Sequence, residues 1–199
     1  TSILLFSFFL AKTNAQVEFE EIEGFPIPNG FVNGMVQDGD TLYVGGPFTH
    51  WGTFGGYGVV VDPIEGQYKP ITPKVYGGSR ATIFCSIPDG EGGVFIGGDF
   101  TKVGDATRNG LAHIRSDGTL DEWDPNPTYI DYSGQKLPGI IYTLTLYRDI
   151  IYIGGIFDNI GGTKRNLAAA VNFITGEVTN WNPNPYYGMV TAIAVSDSN

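Results

Sequence analysis

Three times along the chain an apolar run ends in a glycine pair: TLYVGG closing at Gly46, GVFIGG at Gly98 and IIYIGG at Gly155, 52 and 57 residues apart. Each pair is followed two residues on by an aromatic, in Pro47-Phe48, Asp99-Phe100 and Ile156-Phe157. The second and third copies then match without a gap at an offset of 57, DFTKVGDATRN against IFDNIGGTKRN. The offset becomes 58 at Trp123-Asp124-Pro125-Asn126-Pro127 and Trp181-Asn182-Pro183-Asn184-Pro185. The first copy diverges, with YKPIT at 68–72 where the others carry the tryptophan motif. A repeat of this length builds one unit that cannot bury its apolar face alone, so units must stack, and a terminal unit is free to diverge.

Within a repeat the periodicity predicts four short strands. In the third they cover 140–147, 150–154, 167–173 and 176–181; in the second 81–87, 94–97, 111–115 and 119–123; in the first 32–37, 41–45, 59–62 and 67–69. Residues 190–195 have the pattern of another first strand. The 29 glycines and 12 prolines exclude a helix bundle, and 13 Phe, 11 Tyr and 3 Trp suit strands joined by tight turns. The expectation is an all-β chain, a partial β-propeller of about three four-stranded blades plus the first strand of a fourth. The blades fall at about 32–73, 81–128 and 139–186, with a fourth beginning at 190–199 and running past the C-terminus, and residues 16–31 as a segment able to supply a closing strand.

Structural duties follow for the repeated residues. Gly45, Gly46, Gly97, Gly98, Gly154 and Gly155 allow either close backbone approach or a positive φ in the following turn. Phe100 and Phe157 are expected to fill the space between blades, with Trp123 and Trp181 over its outer part. Arg108 and Arg165 read as clamps donating to a turn carbonyl or to an Asp of the next blade, and Asn126 and Asn184 as turn residues.

Taken in order, Ile153-Gly154-Gly155, Phe157, Ile160-Gly161-Gly162, Arg165-Asn166-Leu167-Ala168, Thr175-Gly176, Trp181 to Pro185 and Val190 to Val195 resemble the bacterial delta-60 repeat. That family is classed as a β-propeller of uncharacterised function. The unit is also similar to blades of a fungal cell-polarity marker. Copy two matches at Ile96-Gly97-Gly98, Phe100, Arg108-Asn109 and Trp123 to Pro127, and departs by Gly110 inserted before Leu111-Ala112. Copy one lacks the Arg-Asn pair and the Trp. The resemblance implies a propeller and carries no catalytic residue across.

Charge and leader bound the setting. With 21 acidic against 11 basic residues, net charge -10 and pI ≈ 4.4, the surface repels a phosphate backbone, so nucleic acid is excluded as a partner. The apolar run from Ile3 to Ala11 is too short for a membrane span and right for the core of a signal peptide over 1–15, incomplete at its start and cleaved near Ala15-Gln16. The mature chain then has no membrane span and is secreted, periplasmic or on the cell surface, as the N-terminal piece of a longer protein. The leader ending Asn14-Ala15-Gln16 also looks like those of the Bacteroidota, an association of families.

Cys85, alone in ATIFCSI, reads as a buried inert thiol. His50 and His113 do not recur between repeats, and the acidic run Asp117, Asp121, Glu122, Asp124 misses the calcium-loop template. No catalytic residue, metal or cofactor is assigned. Trp51, Phe54 and Tyr57, in the loop THWGTFGGYG, are the candidate ligand-binding residues, able to stack on a sugar or present an apolar patch. The expected function is a noncatalytic extracellular or cell-surface module binding a protein or glycan. The alternative is a propeller hydrolase or lyase, or an accessory domain of a larger secreted enzyme.

Overall fold

The computed structural model describes residues 28, 30–47, 58–61, 68–69, 73–78 and 81–196. Residues 1–15, most of 16–31, and Trp51, Phe54 and Tyr57 lie outside the described residues. The described chain is all-β, without a helix, and forms several small antiparallel sheets, none closed on itself.

In chain order, β1 (Gly34–Asp38), β2 (Thr41–Gly45), β3 (Gly58–Val61) and β4 (Tyr68–Lys69) make a four-stranded meander. The chain then passes through β5 (Val75–Tyr76) into β6 (Ile83–Pro88), β7 (Val94–Gly98), β8 (Lys102–Val103), β9 (Ala106–Thr107) and β10 (Leu111–Ile114). Strands β6, β7 and β10 form the second principal sheet, while the β8–β9 hairpin folds back onto β5. The third repeat does the same. After β11 (Thr128–Ile130) and β12 (Lys136–Pro138), its principal strands are β13 (Ile140–Tyr147), β14 (Ile150–Ile156) and β17 (Ala168–Asn172). Its hairpin, β15 (Asn159–Ile160) with β16 (Thr163–Lys164), pairs with β11.

The strands named from the sequence are present except at 190–195, which is not a strand, and with two further differences. The fourth strands at 119–123 and 176–181 shrink to single bridges, Ile114 with Leu120 and Val171 with Val178, where a turn and a proline motif leave no room for a ladder. The hairpins between second and third strands were not anticipated, because two-residue strands carry no readable alternation.

The apparent one-residue insertion at Gly110 is corrected. Gly110 and Leu167 hold the same place 57 residues apart: each N–H reaches the carbonyl of Phe100 or Phe157 at 2.9 Å, and each sits in the left-handed region, at φ +71° and +61°. The extra residue lies instead in the next turn. Arg115 closes on Thr119 around three residues, whereas Asn172 closes on Glu177 around four.

Alternation places the core. In β7, Val94 and Ile96 enter a layer shared with Tyr43 of the first sheet, and Phe95 enters the opposite layer with Ile151 and Ile153 of the third. Leu111 and Ala112 split the same way. The middle sheet is thus apolar on both faces, and each buried Phe, Leu or Ile contributes roughly 1.5–3 kcal/mol. Phe100 and Phe157, fully buried, each occupy one layer.

The first glycine of each pair lies under the next first strand. A Cβ at Gly45 would fall 2.8 Å from Cγ2 of Ile83, one at Gly97 2.8 Å from Cγ2 of Ile141, and one at Gly154 2.5 Å from Cγ1 of Val190. Gly98 and Gly155 meet the Thr82 and Ile140 carbonyls of their own sheets. None of these five has a positive φ, so close approach, not turn geometry, is what requires glycine here.

Trp123 is 4% exposed, packed edge-on to Phe95 at 5.0 Å, with its indole N–H donated to the Asn172 carbonyl of the third sheet at 3.3 Å. Trp181 makes the equivalent edge contact with Tyr152 at 5.2 Å yet remains 39% exposed, because no described sheet follows to cover it. Residues 190–195 lie against the third sheet without entering a hydrogen-bonded ladder.

Candidate functional site

A β-strand aims successive side chains at opposite faces, so one extra residue redirects whatever it carries. β6 and β13 each hold such a bulge. Ile83 pairs with Gly98 and Cys85 with Gly97, leaving Phe84 over; Ile141 pairs with Gly155 and Thr143 with Gly154, leaving Tyr142 over. Both aromatics stand apart from the two core layers and are half-buried. β6 lies beside β13, so the two rings meet with centroids 5.1 Å apart and planes at 37°. In the first repeat Asn33 holds the corresponding place, its N–H donated to the Gly45 carbonyl at 2.8 Å beside the Gly34–Gly45 pair. Thr191 follows Val190 as Phe84 follows Ile83. Phe84 and Tyr142 therefore stand side by side on adjacent first strands, while Asn33 and Thr191 hold the equivalent sequence positions and are exposed. Equal placement of Phe84 and Tyr142 one after Ile83 and Ile141 was the sequence signal, but the bulge that turns them outward leaves no mark in the alternation.

A second cluster is polar. Nε2 of His113 is 2.9 Å from Oδ2 of Asp89, and Nδ1 is 3.5 Å from Oδ2 of Asp121, which also takes Nε of Arg115 at 2.8 Å. The imidazole stacks on Phe95 at 4.1 Å. The free oxygen of each carboxylate is spent on the backbone: Oδ1 of Asp89 accepts from Glu91 and Gly93 at 2.7 and 2.8 Å, and Oδ1 of Asp121 from Trp123 at 2.8 Å. Burial raises the Asp89 carboxyl, but His113 and the two turn amides outweigh it and hold the group below its ordinary value. Asp121 is likewise lowered against its desolvation by the Trp123 amide, His113 and Arg115. Tyr43 donates its hydroxyl to the Gly92 carbonyl of the same turn at 2.5 Å, and burial beside Asp89 and Asp38 pushes it up to about 12. Every arm of this network closes a turn or ties one sheet to the next. Its chemistry is that of a clamp.

The recurring arginines hold the other edge. Nη2 of Arg108 donates to the Asp121 carbonyl and Nη2 of Arg165 to the Thr179 carbonyl, both at 2.8 Å; Nη1 reaches the Thr107 and Lys164 carbonyls at 2.9 Å. All four acceptors lie within the arginine's own repeat. Burial pushes the Asp124 carboxyl up although Arg108 lies 3.8 Å away. Nδ2 of Asn109 and of Asn166 bonds Oδ1 of Asn126 and Asn184 at 2.6 and 2.7 Å, fixing those residues at φ +50° and +47°. The Cys85 thiol, pressed against Gly97, is pushed up to about 12 by burial, far from a thiolate nucleophile. A cavity of about 20 Å³ between the first two sheets, lined by Tyr43, Val75, Ile83, Ser86 and Val94, has room for about one water.

Among the described residues no group of His, Cys, Asp or Glu is arranged to hold a metal ion, and no helix is long and apolar enough to cross a membrane. Gly45, Gly97 and Gly154 lie at the seams between sheets and Phe100 and Phe157 in the core layers, Gly98 and Gly155 press on strands of their own sheets, and Trp51, Phe54 and Tyr57 lie outside the described residues. No family model, curated protein or solved structure matches the chain.

Proposed function

We propose that the chain is an arc of propeller-type blades serving as a noncatalytic extracellular binding module, with the bulge aromatics Phe84 and Tyr142 as its contact surface and a glycan as the ligand class. The observation that carries this reading is the Phe84–Tyr142 pair. Two bulges at the same place in successive repeats turn aromatic rings out of the core, at 5.1 Å, on strands braced from behind by packed glycines. Rigid strands position a site better than a loop does. Tilted, half-buried ring faces suit the apolar face of a pyranose. Export through a cleaved leader and a place at the cell surface belong to the same proposal, resting on the run Ile3 to Ala11.

The test is a glycan array probed with the 199-residue chain, followed by titration of the strongest soluble oligosaccharide. Phe84→Ala and Tyr142→Ala should each weaken binding roughly three- to tenfold, the worth of one aromatic contact. Tyr132→Ala, at a fully exposed hairpin tip, should leave it unchanged. Equal binding by all three variants would refute the assignment.

A further inference from the structure

We infer that the second glycine of each pair, Gly98 and Gly155, is a positioning residue for the outward aromatics Phe84 and Tyr142, admitting the strand carbonyl that the bulge carries across it. The inference deepens the binding reading above and rests on it only for its ligand readout.

The two glycines of a pair meet different things. A Cβ on the first would strike side chains: at Gly97, Sγ of Cys85 at 2.6 Å and Cγ2 of Ile141 at 2.8 Å; at Gly154, Cγ2 of Thr143 at 2.7 Å and Cγ1 of Val190 at 2.5 Å. A Cβ on the second would strike backbone. At Gly98 it would overlap the Thr82 carbonyl oxygen and lie 3.1 Å from Cα of Ile83; at Gly155 it would overlap the Ile140 carbonyl oxygen and lie 3.0 Å from Cα of Ile141. In both repeats that carbonyl belongs to the residue two before the bulged aromatic. A regular strand holds its side chains roughly perpendicular to the sheet, clear of the neighbouring backbone, but a bulge bends the strand and sharpens its twist. The carbonyl has no room to retreat. That of Thr82 accepts from the Asp99 N–H at 3.0 Å, and the Thr82 N–H is donated to Oδ1 of Asp99 at 2.6 Å; Ile140 is paired with Ile156. A side chain at either glycine therefore displaces the segment leading into the bulge, and the bulge is what turns Phe84 and Tyr142 outward.

The core itself does not need the extra residue. Ile83 packs in the layer shared with the first sheet and Cys85 against the layer shared with the third, while Ile141 and Leu144 lie in one layer. With Phe84 or Tyr142 taken out, each strand would alternate regularly and keep all of these residues on their present sides. What the bulge adds is an aromatic outside the core, and the second glycine is what accommodates it.

The test is a cycle of urea midpoints for Gly98→Ala, a variant lacking Phe84, and the two changes combined, with Gly97→Ala as reference. Gly98→Ala should lower the midpoint sharply or prevent folding, and removal of Phe84 should restore at least half of that loss. Gly97→Ala should lose as much without Phe84 as with it, since its Cβ meets Ile141 of the next sheet. Wild-type NMR spectra should show cross-peaks between the Phe84 and Tyr142 rings; in Gly98→Ala these should vanish while those between Phe95 and Trp123 persist. Glycan binding by Gly98→Ala should weaken as in Phe84→Ala, roughly three- to tenfold. Additive losses, equal rescue of Gly97→Ala, or Phe84–Tyr142 cross-peaks that survive Gly98→Ala would overturn the inference; where Gly98→Ala does not fold, an unfolded double variant overturns it as well. Wild-type protein that binds no glycan, with the cycle as expected, would refute the ligand reading alone and leave the positioning role standing.

Discussion

Trp123 and Trp181 occupy equivalent places in successive repeats, yet truncating them should have unequal costs. A tryptophan side chain buries roughly 200 Å², worth about 5 kcal/mol at about 25 cal/mol per Å². Trp123, only 4% exposed, forfeits nearly all of that on Trp123→Ala, together with its edge contact to Phe95 and its hydrogen bond to the Asn172 carbonyl. The cost should be about 4–5 kcal/mol, at the upper end for aromatic truncation. Trp181, at 39% exposure, keeps about three-fifths of the area term and leaves a hole that solvent and the mobile rim of a surface can fill, so Trp181→Ala should cost about 2 kcal/mol. Urea unfolding of the two variants, followed by circular dichroism at equal protein concentration, measures the difference directly. A double-mutant cycle of Trp123 with Phe95 should return a coupling of about 0.5–1.5 kcal/mol. Equal costs at the two positions, or a larger one at Trp181, would refute the argument that the next sheet, not the motif, decides what the tryptophan contributes.

The left-handed position shared by Gly110 and Leu167 makes a second contrast. A Cβ at Gly110 would lie 2.5 Å from the Gly139 carbonyl and 2.8 Å from that of Gly98, so Gly110→Leu should cost about 3 kcal/mol or more, whereas Leu167→Gly should change stability by about 1 kcal/mol at most as relief of φ strain offsets lost contact; thermal unfolding midpoints of the pair check this. Asp89 provides a pH signature. Its folded-state carboxyl lies below the ordinary value, so its contribution is complete above the unfolded value near 4 and is lost as pH falls toward the folded one; in Asp89→Asn, urea midpoints between about pH 5 and 2 should fall less steeply than in the wild type. An unchanged slope would place the acid sensitivity elsewhere.

Much of the strand plan was legible because it is local. Alternation in VFIGG and IIYIGG, the glycine pairs and the turn residues act over a few positions, and each of the principal first, second and third strands falls where those signals put it. Repetition fixed the order of the units for the same reason. The candidate site was legible only as residue types. Phe84 and Tyr142 read as ordinary apolar strand residues, because a bulge is a choice of pairing with Gly97–Gly98 and Gly154–Gly155 and not a property of the strand that carries it.

The sequence by itself determined that this chain is built from repeated antiparallel strands whose glycines demand close neighbours. Tertiary structure alone decided which side chains those neighbours bury. Trp123 and Trp181 share a motif, and their exposures of 4% and 39% differ because burial is a property of two surfaces, one of which lies in another repeat. His113 joins Asp89 and Asp121 because a hairpin turn and a strand end meet at one edge of a sheet, 24 residues of chain apart on one side. The two-residue hairpins β8–β9 and β15–β16 are held by their pairing with β5 and β11, contacts too distant in sequence for any periodicity to record. Short-range preferences select the strands; register and burial are settled only when the strands meet.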